Sequence, residues 1–157
     1  MRKGQILIFS LLIIYSLSQL IYFPGLKVSS FDELGLFDKH KITGLAITKI
    51  GENDRVQLTD QKEIQKILDD LSKLELRKIK SEMDAMDMDP TQIDAEKNSQ
   101  KYFIDIKENN RDVGTAYLSG TKYIKFYMDS TTEILIYKIV NTPELDIHHV
   151  FDSAKNN

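Results

Sequence analysis

At 157 residues, with 41% hydrophobic and 29% charged side chains, 7 glycines and 3 prolines, the chain has the make-up of one globular domain plus one apolar terminus. The absence of cysteine excludes a disulfide scaffold, a cysteine zinc site, a thiol nucleophile and a lipid-modified N-terminal cysteine. The 21 Lys and Arg against 24 Asp and Glu give a formal charge of −3, and the part of the chain beyond Arg2 and Lys3 is more acidic still, so no nucleic-acid partner is expected.

Ile6 to Phe23 carries no charge, follows Arg2 and Lys3, and precedes Pro24 and Gly25. As a helix it covers about 27 Å, close to the hydrocarbon thickness of a bilayer. This predicts an N-terminal transmembrane helix, with residues 1–25 as anchor or signal segment and the membrane itself as a partner through residues 6–23. The paired cations keep the N-terminus in the cytoplasm and send the rest across, so the protein is expected in the cell membrane with its C-terminal domain extracytoplasmic. Ser16-Leu17-Ser18 has the small-x-small form that a signal peptidase accepts, and cleavage after Ser18 gives a secreted product instead. An uncleaved anchor is the stronger reading, because the apolar run continues through Phe23.

Residues 26–40 read as a stalk or linker, or a short docking helix, with Ser30 to Glu33 as a capping box and Gly35 interrupting an apolar set. From Lys41 the pattern is extended. Ile42, Leu45, Ile47 and Ile50 lead to the turn-rich Gly51 to Asp54, and Arg55 to Thr59 returns as the second strand of a hairpin. Asp60 then caps the clearest helix, with Glu63 at the capping-box position and Ile64, Ile67, Leu68, Leu71 and Leu74 on one face. Leu74 to Lys80 returns as a strand, whose Arg77, Lys78 and Lys80 read as a solvated face.

Four more strands follow: Tyr102 to Glu108, Asp112 to Leu118, Lys122 to Met128 and Glu133 to Val140, separated by short polar turns. Their alternation puts Tyr102, Ile104, Ile106, Gly114, Ala116, Leu118, Ile124, Phe126 and Met128 on one apolar face. Thr142-Pro143 opens a short helix, or Leu145, Ile147, His149 and Phe151 alternate as a strand. The predicted domain, residues 41–157, is α+β: a mostly antiparallel sheet (ββα-β, then a four-strand meander) with one main amphipathic helix packed on it.

A hydrophobic N-terminus, the helix start TDQKEIQKIL at Thr59 to Leu68, and the β-meander together resemble, in overall form, small N-terminally anchored extracytoplasmic domains of Firmicutes whose function is unassigned. That resemblance implies a bacterial envelope protein and brings no catalytic residues with it.

The most conspicuous local composition is Glu82 to Pro90, where Met83, Met86 and Met88 alternate with carboxylates. Three thioethers are a soft donor set for Cu(I), which makes a metal-binding surface protein using loop 82–89 the alternative function. Adaptable hydrophobic cover over the sheet, or a partner-binding surface, are the stronger readings of the same residues. A Ca²⁺ loop starting at Asp87 fails, since its sixth position is Gln92 and its twelfth Asn98. His148 and His149 are adjacent and diverge on a helix or a strand, His40 is isolated, and Asp69 and Asp70 read as a solvated helix side. No Gly-x-Ser-x-Gly, Ser-x-x-Lys, His-Glu-x-x-His or glycine-rich phosphate loop occurs, so no catalytic residue and no cofactor is expected. The expected function is a non-catalytic, membrane-anchored extracytoplasmic binding domain whose partner is another envelope protein.

Overall fold

A computed structural model describes residues 8–16, 27–51, 54–81 and 100–156. Among these, three helices accompany eight strands in one sheet: α1 (8–16), α2 (Gln61–Ser72) and α3 (Ile147–Lys155), with β1 (Val28–Ser30), β2 (Ile42–Lys49), β3 (Arg55–Leu58), β4 (Glu75–Ile79), β5 (Lys101–Glu108), β6 (Arg111–Ser119), β7 (Tyr123–Met128) and β8 (Ile134–Ile139). The α+β class and the β5 to β8 meander are as expected from sequence. The predicted transmembrane helix is not reproduced: of the run Ile6 to Phe23 only residues 8–16 are described, and no helix among the described residues is long and apolar enough to cross a membrane.

The sheet order is β1-β4-β8-β7-β6-β5-β2-β3, and every neighbouring pair is antiparallel. Alternation along each strand sorts side chains to two faces. The core face carries Leu45, Ile47, Leu58, Ile104, Ala116, Leu118, Ile124 and Phe126, each at most 2% exposed. On the opposite, open face the registers align Phe103, Tyr117, Lys125, Ile136 and Ile79 in one row, and Lys101, Ser119, Tyr123, Lys138 and Arg77 in the next. The β5–β6 hairpin turns on Asn109 and Asn110, both with positive φ (49° and 64°), as a two-residue turn matched to strand twist requires.

α2 forms as its pattern predicts. The Asp60 carboxylate accepts from the Lys62 and Glu63 amides at 2.8 and 3.2 Å, and Ile64, Ile67, Leu68 and Leu71 are buried against β2 and β3. α3 departs from expectation. It begins at Ile147 rather than at Thr142, and the alternative strand reading is wrong, because Ile147, Val150 and Phe151 use helical spacing to reach the core.

The segment read as a linker is built into the domain. β1 adds to the sheet edge beside β4, and the predicted capping box closes reciprocally, Ser30 N donating to Glu33 Oε2 at 3.0 Å and Glu33 N to Ser30 Oγ at 3.3 Å. Phe31 is 3% exposed and lies 5.7 Å from Phe126 and 6.1 Å from Phe37, ring centre to ring centre. Residues 31–41 therefore cross the core face. Gly114 accommodates them, since a Cβ there would lie 3.1 Å from the Phe37 ring and 2.8 Å from the Tyr127 carbonyl oxygen. Phe31→Ala is expected to lower unfolding free energy by about 3–5 kcal/mol, read from urea denaturation, because it empties a closed aromatic cluster. A loss under about 0.5 kcal/mol, as at a surface site, would mean that the segment does not pack there in solution.

Candidate functional site

Where β5 begins, β6 ends and α3 starts, a cleft of about 420 Å³ opens. Leu118, Pro143, Leu145 and Ile147 give it apolar walls, and Gln100, Tyr102, Thr121 and His148 bring polar groups to its rim. The Tyr102 ring packs against Phe151 at 6.0 Å, which fixes its hydroxyl at the cleft. That hydroxyl donates to Gln100 Oε1 at 2.7 Å, so its 3.2 Å contact with His148 Nδ1 is best made by a ring N–H donating to the phenol oxygen.

In that tautomer His148 Nε2 carries the ring's free lone pair. It lies 3.4 Å from Gln100 Nε2 and 3.3 Å from Asp152 Oδ2 one helical turn on. There it accepts from the glutamine amide. The arrangement can orient a hydrogen-bonding group. The cleft rim offers one hydroxyl besides Tyr102, that of Thr121, and no base is placed on it among the bonds described.

A second cleft, of about 560 Å³, lies between the β5–β6 and β7–β8 turns, lined by Glu108, Arg111, Asp112 and Asp129 among others. It is acidic and open. Among the described residues no group of three or more His, Asp or Glu is placed to hold a metal ion. Met83, Met86 and Met88, the sequence-predicted metal ligands, lie outside the described residues, as does all of 82–99.

The two histidines lie on α3 with ring centres 6.0 Å apart, and His148 is the one turned to the cleft. Sequence reading missed this site because Tyr102 and His148 are 46 positions apart; the available signal was the helical i, i+4 pair His148 and Asp152. It also misplaced Asp70, which is 3% exposed rather than solvated. The Asp70 carboxylate accepts from Lys73 Nζ at 2.7 Å and from the Asp146 amide, and so ties the end of α2 to the start of α3 beside the cleft. Lys66 of α2 adds an ion pair to Asp146 at 3.2 Å.

No protein-family model, curated protein or solved structure matches the chain. The cleft therefore stands on its own geometry.

The hydrogen bond and charge of Asp70 raise the pKa of Lys73 above its ordinary 10.5. A raised lysine contributes its stabilisation fully below the unfolded value and loses it as pH climbs through the folded one. Urea midpoints measured from about pH 8 to about pH 12 should fall more steeply for the wild type than for Asp70→Asn, which removes the partner charge. Parallel curves would show that the pair contributes nothing at this exposed end of the lysine.

Proposed function

We propose that this chain is a membrane-anchored, extracytoplasmic binding domain that performs no catalysis and recognises another envelope protein. The uncharged run Ile6 to Phe23 behind Arg2 and Lys3 supports the anchor and its direction. The single observation that carries the binding reading is the cleft, in which four apolar walls surround a few converging polar groups. A recess of this kind seats one anchoring side chain of a partner, with Tyr102 and His148 meeting its polar end.

In this reading Asp70, Lys73 and Asp146 keep α3, and hence His148, at a fixed angle to β5. Rigid presentation lowers the ordering cost that binding would otherwise carry. Thr121 is exposed at the rim, where a partner would first make contact.

Two measurements test the proposal. A photo-cross-linking residue at Thr121 of the full-length protein in its own membranes should yield a discrete adduct that is lost on Leu145→Arg, while the same probe at Lys62 on α2 should yield none. Equal labelling from both positions, or an adduct indifferent to Leu145→Arg, would remove the cleft from consideration. For topology, protease added to intact cells should destroy a C-terminal tag and leave a short N-terminal fragment in the membrane fraction. A C-terminal tag that resists protease until the cells are opened would overturn the extracytoplasmic assignment.

A further inference from the structure

No Asp, Glu, Lys or Arg lines the cleft beside α3, in a chain whose composition is 29% these four residues. A charged group seated among Leu118, Pro143, Leu145 and Ile147 would lose its hydration and gain no buried counter-charge. Asp152 lies 3.3 Å from His148 Nε2, but its side chain is 48% exposed and is not one of the walls, and an ion pair in that setting is worth little. The electrostatics of the recess therefore select an uncharged occupant.

Size and wall chemistry narrow the choice. At about 420 Å³ the cleft is near the lower end of ligand sites, which run from ~300 to ~1,000 Å³, so it suits one large side chain. A short aliphatic side chain would leave part of the recess unfilled and forfeit contact there. The Tyr102 ring, backed by Phe151 at 6.0 Å, and the His148 imidazole supply aromatic surfaces on which a guest ring packs edge to face or offset.

The polar end adds a third requirement. With its Nδ1–H donating to the Tyr102 oxygen, His148 presents a lone pair at Nε2, and the Gln100 amide reaches it only at 3.4 Å, longer than the ~3.0 Å of a strong bond. Gln100 is held back from a closer approach. Its backbone carbonyl accepts from the Gly120 amide at 3.0 Å, and its side-chain oxygen from the Tyr102 hydroxyl at 2.7 Å. A guest N–H or O–H can meet that lone pair at shorter range, whereas a plain hydrocarbon ring cannot.

We propose that the cleft takes an uncharged aromatic side chain carrying one hydrogen-bond donor, a tryptophan or a tyrosine of the protein partner. This rests on the reading of the cleft as a docking site and adds which kind of residue fills it. Both side chains bring a large rigid ring at low ordering cost, with the indole N–H or the phenol O–H as the group that meets His148 Nε2. Such residues carry a large share of the binding energy when they enter a desolvated recess.

The chain contains no tryptophan, so in full-length protein purified in detergent the emission of added N-acetyl-tryptophanamide reports the probe alone. That emission should move to shorter wavelength and saturate with the wild type, and stay at the level of detergent alone with Leu145→Arg. The N-acetyl amide of tyrosine should displace the probe at about two- to tenfold lower concentration than that of phenylalanine, the span that one net hydrogen bond accounts for. The amides of lysine and glutamate should not displace it. His148→Phe, which keeps a ring and removes the acceptor, should bring tyrosine and phenylalanine level. No saturable shift, displacement by lysine or glutamate, or phenylalanine as effective as tyrosine on the wild type would each overturn the inference. The Thr121 cross-link separates the two failures: an adduct that the tryptophan and tyrosine amides do not compete rejects the aromatic occupant alone, and absence of any adduct rejects the docking cleft with it.

Discussion

Connecting strands of like direction forces chain across the faces of this sheet, and the rest of the molecule is arranged around that constraint. With β4 wedged between β1 and β8, and β2 with β3 at the far edge, neither β1 to β2 nor β3 to β4 can close as a hairpin. Each must carry enough apolar surface to lie on the sheet without leaving backbone groups unpaired. The first does so with a pair of phenylalanines and single-turn helices, the second with a three-turn amphipathic helix. With α3 they cover the core face: Phe31 and Phe37 lie on Phe126 of β7, α2 on β2 and β3, and Phe151 of α3 against Tyr102 of β5.

The junctions of those crossovers are held by polar groups rather than by more apolar packing. Asp70 is the clearest case, a buried carboxylate whose bonds to Lys73 and to the Asp146 amide couple two helices that are distant in sequence. Asn141 does the same for the backbone, accepting from the Glu75 amide at 3.0 Å and donating to the Lys73 carbonyl at 2.7 Å. A buried polar group left without a partner costs about 1–3 kcal/mol, so such bonds specify one arrangement of elements that hydrophobic contact alone would leave adjustable. Lys39 adds a similar tie between residues 31–41 and α2 through Asp32 and Ser72.

Charge is distributed unevenly over this scaffold. The chain is acidic overall, yet the open face gathers cations around a tyrosine and phenylalanine cluster, with Lys125 Nζ 5.1 Å from the Tyr117 ring centre and 5.6 Å from that of Tyr123. Much of the acidity lies instead in residues 82–99. Gln100, just before β5, accepts from the Tyr102 hydroxyl and offers its amide nitrogen to His148, so the histidine network sits at one end of this sheet.

Local chemistry was legible from the residues alone. Period-two alternation identified the core face of β5, β6 and β7, and Asp60 marked the start of α2, because each signal is carried by neighbours within one element. Phe31 and Phe37 were misread as part of a stalk, since a broken apolar set carries no period and gains its meaning only from Gly114 and Phe126, far along the chain. Asp70 looked solvated for the same reason: its burial is imposed by α3, and the start of α3 at Ile147 is itself decided by contact with the core and by Asp70 rather than by the Thr142-Pro143 signal. Of the cleft, only the i, i+4 pair His148 and Asp152 was visible in the sequence, because its other polar groups come from strand ends that only the strand order brings to α3. Sequence by itself thus determined that β2 to β8 are strands and α2 a helix, and which sides of α2 and of β5 to β7 are apolar. Tertiary structure decided what covers those sides, because cover depends on contacts between residues too far apart in the chain to leave a local pattern.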